Sequence, residues 1–218
     1  GLVDVYKRQD KINLEVNVEE KSTGEASIGA GYSSANAASI NFGLRENNFL
    51  GKGQKVKFDT SFSNTRNAYD ISITEPYFNN KPLSLTTNLY SNFTDPTNVN
   101  YETEDLGFGL SSSFPLSTDR YIEIRYSLFT SKIKANSNAT AYENALAGTD
   151  TVSSVGYTLA FDKRNSRYKP SNGFNIEISQ DLAGLGGDSY YYRNSFEFNY
   201  YKRLSNKIIG AKSINDLI

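Results

Sequence analysis

Apolar and polar side chains alternate with a period of two along most of the chain. Ala26, Ile28, Ala30 and Tyr32 are interleaved with Glu25, Ser27, Gly29 and Gly31. Ile40, Phe42 and Leu44 follow, then Val56, Phe58, Thr60 and Phe62, then Tyr69, Ile71 and Ile73. The same beat continues through Leu83, Leu85, Thr87 and Leu89, through Leu106, Phe108 and Leu110, and through Ile122, Ile124, Tyr126 and Leu128. It ends with Val155, Tyr157, Leu159 and Phe161, then Phe174, Ile176 and Ile178, then Phe196, Phe198 and Tyr200. Successive side chains of a strand point to opposite faces, so each run predicts a strand with one apolar face. The count is ten, and Ile208 and Ile209 open an eleventh. Helical spacing shows only in Ala139 to Leu146, inside a polar loop.

The connections predict how the strands are joined. Thr94 to Glu104, Ser131 to Ser154 and Ala183 to Tyr191 read as long loops, whereas Phe114 to Asp119, containing Pro115, and Leu204 to Lys207 read as tight turns. Short turns at one rim and long loops at the other mark an up-and-down transmembrane β-barrel. A soluble sandwich also alternates, with its apolar faces packed together. Three features favour the barrel: a polar face of Gly, Ser, Asn and single charges; sequential hairpins; and tyrosines near strand ends (Tyr32, Tyr69, Tyr90, Tyr101, Tyr121, Tyr157, Tyr190, Tyr201). The fold expected is all-β, an antiparallel barrel that is incomplete, with ten to eleven strands of a larger one. Consecutive strands should pair, with Ile40, Phe58, Ile73, Ile124 and Phe198 on one continuous face.

Composition narrows the chemistry. The 218 residues include no Cys, His, Trp or Met. Disulfides, thiol nucleophiles and thiolate metal sites are excluded, as are the commonest general base and transition-metal ligand. The net charge of -1 gives no basic footprint for nucleic acid. Mean hydropathy is -0.54, and no apolar run approaches a membrane helix. Yet 16 Tyr and 13 Phe are far too many for a disordered chain. Glu75 and Asp162 invite reading as a hydrolytic carboxylate pair, but they join Arg45, Arg125 and Arg164 more naturally as lumen or rim charges. Gly184 to Gly187 lacks the setting of a phosphate loop, and Asp95, Asp150 and Asp188 lack calcium-loop spacing. Asn92 and Asn138 stand in glycosylation-type triplets, a short pattern that also occurs by accident. No catalytic residue, metal or cofactor is expected.

The ends carry separate expectations. Asp4 to Gln9 looks like a translated transposon end, so residues 1–9 are expected to be adapter-derived. The missing Met and the abrupt stretch from Ile214 to Ile218 suggest that the chain is cut from a longer one.

Several motifs, in order, resemble the BamA family of outer-membrane protein assembly factors. Lys11 to Lys21 resembles the last strand of a periplasmic POTRA domain, and Thr23 to Tyr32 resembles the first barrel strand. Asn47, Asn48, Phe49, Leu50, Gly51, Lys52 and Gly53 are similar to the family's turn between strands two and three. Thr74, Glu75, Pro76, Tyr77 and Phe78 resemble the turn after strand four; Asp162, Lys163 and Arg164, with Pro170 and Gly173, resemble the turn after strand eight. The resemblance covers about residues 10–212, and it implies residues 10–22 as the end of a POTRA domain and 23–218 as the N-terminal part of the barrel. The chain reaches only ten or eleven of the family's sixteen or so strands, and the family's Arg-Gly-Phe loop motif and closing strand are absent from it.

The resemblance further implies that the first strand (Gly24, Ala26, Ile28, Gly29, Ala30, Gly31, Tyr32) borders a lateral gate where incoming strands add by backbone pairing. Glycine there weakens the strand, which suits a seam that opens. Gly51 and Gly53 serve turn geometry, and Pro76 ends a ladder. Implied partners are the outer-membrane bilayer, unfolded outer-membrane proteins and assembly lipoproteins, in a Gram-negative bacterium. A related translocation or two-partner secretion transporter, a passive porin and an outer-membrane hydrolase are the alternatives.

Overall fold

The computed structural model describes residues 22–33, 37–204 and 207–210, with backbone only for Ser33, Ala37, Leu204 and 207–210. The expectations for residues 1–9 and 10–21 lie outside the described residues. The strands are β1 (Gly24–Ser33), β2 (Ala37–Phe49), β3 (Gln54–Ser63), β4 (Arg66–Glu75), β5 (Ser84–Thr94), β6 (Tyr101–Ser117) and β7 (Arg120–Ala135). After a short helix α1 (Ala141–Leu146) come β8 (Gly148–Asp162), β9 (Asn172–Ala183), β10 (Tyr191–Leu204) and β11 (Lys207–Gly210). Among the described residues they form one eleven-stranded sheet in chain order, β1 through β11, every neighbour antiparallel. The first and last strands stand at opposite edges, so the described sheet is not closed.

Register carries the apolar face across the sheet without a break. Ala30 lies opposite Ile40, Ile40 opposite Phe62, and Phe58 opposite Ile71. Ile73 faces Thr87, Leu89 faces Phe108, and Phe108 faces Leu128. Ile124 pairs with Tyr157, Leu159 with Ile178, and Ile176 with Phe198. The expected single face for Ile40, Phe58, Ile73, Ile124 and Phe198 is thus observed. These residues do not close over a sandwich core: Ile40 is 56% exposed, Ile73 48% and Ile124 47%. On the opposite parity Ser154 and Asn175 are buried polar residues, and only three hydrophobics are buried among the described residues, Val152, Ala160 and Ala183. Apolar side out and polar side in is the arrangement of a barrel wall in lipid.

Several local expectations need correction. Strands β6 and β7 reach further than the alternation suggested, from Tyr101 and to Ala135, so the loops beside them shrink to 95–100 and 136–147. The overhang is held by ion pairs on the outer parity, Lys134 with Glu104 at 2.6 Å and with Glu102 at 3.2 Å. Pro115 is not in a turn; it lies within β6 opposite Tyr121, beside a register shift that accommodates its missing N–H. Long and short connections do not divide cleanly between rims, since 76–83 and 163–171 are long segments at the rim where short turns were expected. Tyr90, Tyr101, Tyr121 and Tyr201 share the parity of Asp105, Glu123 and Asn199 and so face the polar side. Only part of the expected tyrosine girdle therefore faces outward.

Candidate functional site

Strand β1 pairs with β2 along its whole length, from Gly24 opposite Glu46 to Ser33 opposite Ala37. Its other edge has no partner among the described residues. One bond sets the parity of that edge. The same register puts Thr23 opposite Asn47, and the Asn47 N–H donates to the Thr23 carbonyl at 3.3 Å. Opposed residues in an antiparallel pair alternate between bonded and non-bonded. Glu25, Ser27, Gly29 and Gly31 therefore turn their backbone groups toward β2. Gly24, Ala26, Ile28, Ala30 and Tyr32 turn theirs outward, and these five also carry the apolar parity. The edge so offers five N–H and five C=O groups.

Side chains add little to hold β1 in place. Ile28 is 81% exposed and Tyr32 84%. A Cβ on Gly29 would meet nothing within 4 Å, so no packing demands glycine there. The strand is held chiefly by its ladder, with a clasp at its start where the Asn48 N–H donates to the Glu46 carboxylate at 2.8 Å and the Thr23 hydroxyl donates to the same carboxylate.

The turn motifs gather at the rim where β1 begins. Asn48 and Phe49 end β2, and the Asn48 side-chain oxygen accepts from the Gly53 N–H at 2.7 Å. Leu50, Gly51 and Gly53 all have positive φ. Glu75 ends β4, accepting from Gln54 at 2.9 Å and from the Tyr77 N–H at 3.3 Å. Pro76 follows it, and Tyr77 and Phe78 project as exposed rings. Asp162 ends β8 and is gripped by Arg164 through two bonds, 2.8 and 2.7 Å, with Arg167 at 3.4 Å. Pro170 lies in the following loop, and Gly173, the second residue of β9, has φ 104° with the Lys163 backbone against it. Glu75 and Asp162 are each occupied by their own partners, so the structure does not bring them together as a catalytic pair.

Sequence reasoning missed three clusters because their members are far apart in the chain. On the polar face, Arg125 bonds Asp181 at 2.8 Å and the Thr158 hydroxyl at 2.6 Å. At the β1-start rim, Lys163 pairs with Asp119, and that ammonium, with the Ser117 hydroxyl, holds the Asp119 carboxyl down at about 2. At the opposite rim, Thr140 caps α1 and Glu143 closes the capping box. Glu143 accepts from the backbone N–H of Thr140 at 2.8 Å and of Asn100 at 2.9 Å, which tethers loop 136–147 to loop 95–100. Those bonds lower its carboxyl from 4.5 to about 2. By sequence Arg125 reads as a lumen or rim charge; nothing in its spacing pairs it with Asp181. Among the described residues no group of acidic side chains is arranged to hold a metal.

Residues 48–215 match the model of the Omp85 superfamily domain. The chain belongs to the Omp85 superfamily. Its strands are those of an outer-membrane barrel. This Omp85 chain is 27% identical over 201 residues to the outer membrane protein assembly factor BamA of Neorickettsia risticii, covering 89% of the chain and 27% of that relative. It is 25% identical over 195 residues to the human sorting and assembly machinery component 50 homolog, covering 88% of the chain and 41% of the relative. The fold is also that of the crystal structure of BamA from Haemophilus ducreyi lacking POTRA domains 1–3, with a TM-score of 0.69 at 22% identity, over 86% of this chain and 39% of the other. The chain thus spans less than half the length of these relatives. The resemblance carried by the turn motifs is borne out at the level of family and fold.

Proposed function

We propose that this chain forms the first part of the barrel of a Gram-negative outer-membrane assembly factor, and that β1 is the strand on which incoming barrel proteins are templated. The observation that carries this reading is the outward backbone edge of Gly24, Ala26, Ile28, Ala30 and Tyr32. Unpaired backbone groups in hydrocarbon cost several kcal/mol each, ~2–7 by reference state, so the edge must be covered by another strand. A strand from an unfolded substrate fits by β-augmentation, with pairing supplied by backbone and hence tolerant of sequence. The relatives named as assembly factors support the reading. Residues 10–22 lead into the barrel from a POTRA domain in this proposal, and assembly lipoproteins are further partners. The mechanism is non-enzymatic and needs no cofactor or nucleic acid.

The test uses the full-length protein that contains these strands. Depleting it should halt insertion of other barrels, and normal insertion would sink the proposal. Complementation then separates the two parities. Ile28→Pro removes an outward N–H and should impair insertion while the protein remains folded. Gly29→Pro removes an N–H bonded to β2 and should lower stability instead. Full insertion activity with Ile28→Pro would exclude β1 as the template.

A further inference from the structure

The outer face carries one unusual feature near the rim opposite the start of β1. Gln180 on β9 and Asn194 on β10 lie directly opposite each other on the apolar parity, between Ile178 with Phe196 on one side and Leu182 with Tyr192 on the other. They are bonded, the Gln180 amide donating to the Asn194 side-chain oxygen at 2.8 Å. The Tyr157 hydroxyl of β8 donates to the Gln180 oxygen from the other side. The chain of bonds fixes the amide orientations: both oxygens accept, while one N–H of Gln180 and both of Asn194 are left to donate. Beside this row lies an open groove of about 370 Å³, walled by Ile124, Val155, Tyr157, Leu182 and Tyr192.

Depth decides what the groove meets. Gln180 is three residues before the end of β9, and Asn194 three residues after the start of β10. At ~3.3 Å per residue the row lies ~10 Å along the strand from its end at that rim, which suits the ester level of a leaflet better than the bilayer centre. Leu182 and Tyr192 are half exposed toward that lipid, and tyrosines are placed as in an interfacial belt. Amide donors at that depth seek acceptor oxygens, because an unsatisfied N–H in an apolar setting is costly. An ester-linked lipid supplies carbonyl oxygens at that level and an acyl chain running toward the bilayer centre along Ile124 and Val155.

We propose that Gln180, Asn194 and Tyr157 form a lipid site on the barrel wall that binds an acyl-ester membrane lipid, its ester carbonyl on the amide N–H groups and one acyl chain in the groove. The site follows from the barrel being in lipid and does not depend on the assembly role.

The test places a photo-crosslinking residue at Leu182, and a control at the equally exposed Leu89 on β5, in the full-length protein. The protein is reconstituted in phosphatidylcholine vesicles, either diester or diether, the latter lacking carbonyl oxygens. Crosslinked lipid at position 182 should exceed the control several-fold in diester vesicles. It should fall to the control level in diether vesicles, and also in a Gln180→Leu, Asn194→Leu variant. Leucines on the lipid face keep the protein folded, which resistance to trypsin verifies. Equal yields for the two lipids, or for the variant and the parent, would overturn the site.

Discussion

Gly107 on β6 lies opposite Tyr90 on β5, and the phenol ring lies across the space a side chain at 107 would need. A Cβ built on Gly107 would stand 2.5 Å from the Tyr90 hydroxyl oxygen, against ordinary contacts of 3.4–4 Å, with ring carbons closer still. Gly107→Ala therefore forces the ring to move. Overpacking of this kind costs about 1–3 kcal/mol, a drop of roughly 5- to 150-fold in the folding constant. Tyr90→Ala removes a half-buried ring and costs stability by itself. Combined with Gly107→Ala it should cost no more than it does alone, because the clash has gone. The coupling in that double-mutant cycle equals the overpacking term, about 1–3 kcal/mol of relief. Gly29→Ala is the control: nothing lies within 4 Å of its Cβ, so its effect should stay within about 0.5 kcal/mol. The assay is urea unfolding of the full-length protein in lipid vesicles, followed by tyrosine fluorescence. Additive losses in the double variant would refute the argument, and so would equal losses for positions 29 and 107.

Three further outcomes are expected. Gly173→Ala should cost about 1–3 kcal/mol for the positive φ and about as much again for crowding the Lys163 backbone, because its Cβ would stand 2.9 Å from the Arg164 Cα; thermal unfolding checks it. Glu143 has a folded pKa of about 2 against 4.5, so its stabilisation of the loops is complete above pH 4.5 and lost as pH falls from 4.5 toward 2. Hydrogen exchange at the Asn100 and Thr140 amides should accelerate through that window, and Glu143→Gln should abolish the dependence. Leu89→Arg, on the outer face and 51% exposed, should cost about 2–4 kcal/mol in lipid, whereas Ser72→Arg, on the polar parity of the next strand, should cost far less; refolding yields into vesicles compare the two.

Strand existence and facing were legible because a half-exposed strand repeats a two-residue beat, and Ile40, Ile73 and Ile124 keep it where they stand. Strand ends were less legible. Glu102, Glu104, Lys132 and Lys134 continue β6 and β7 beyond the apolar band, where polarity no longer alternates and cross-strand ion pairs hold the ladder instead. Pro115 read as a turn residue because a proline inside a ladder needs a register shift that only the partner strand reveals. Tyr90 read as a rim aromatic, although its ring belongs to the polar face, over the gap that Gly107 leaves. Turn motifs such as Asn48 to Gly53 were visible through the positive-φ positions they require. Arg125 with Asp181 and Glu143 with Asn100 depend on register across several strands or loops, which no local spacing encodes.

The template role proposed for β1 would need little side-chain chemistry. Five outward N–H and five C=O groups on β1 form a recognition surface made wholly of backbone, identical for any strand that can pair with it. Gly24, Ala26 and Ala30 keep three of the five outward positions small, with Ile28 and Tyr32 the two large side chains beside an incoming strand. The same bonds can be satisfied by a closing strand of the barrel or by a strand from another protein, so exchanging one for the other changes few hydrogen bonds. The proposed exchange is then close to balanced in hydrogen bonds, since each strand supplies the same backbone groups. A side chain at 26 or 30 large enough to pack across the seam should therefore favour whichever strand it fits, converting a general template into a selective one.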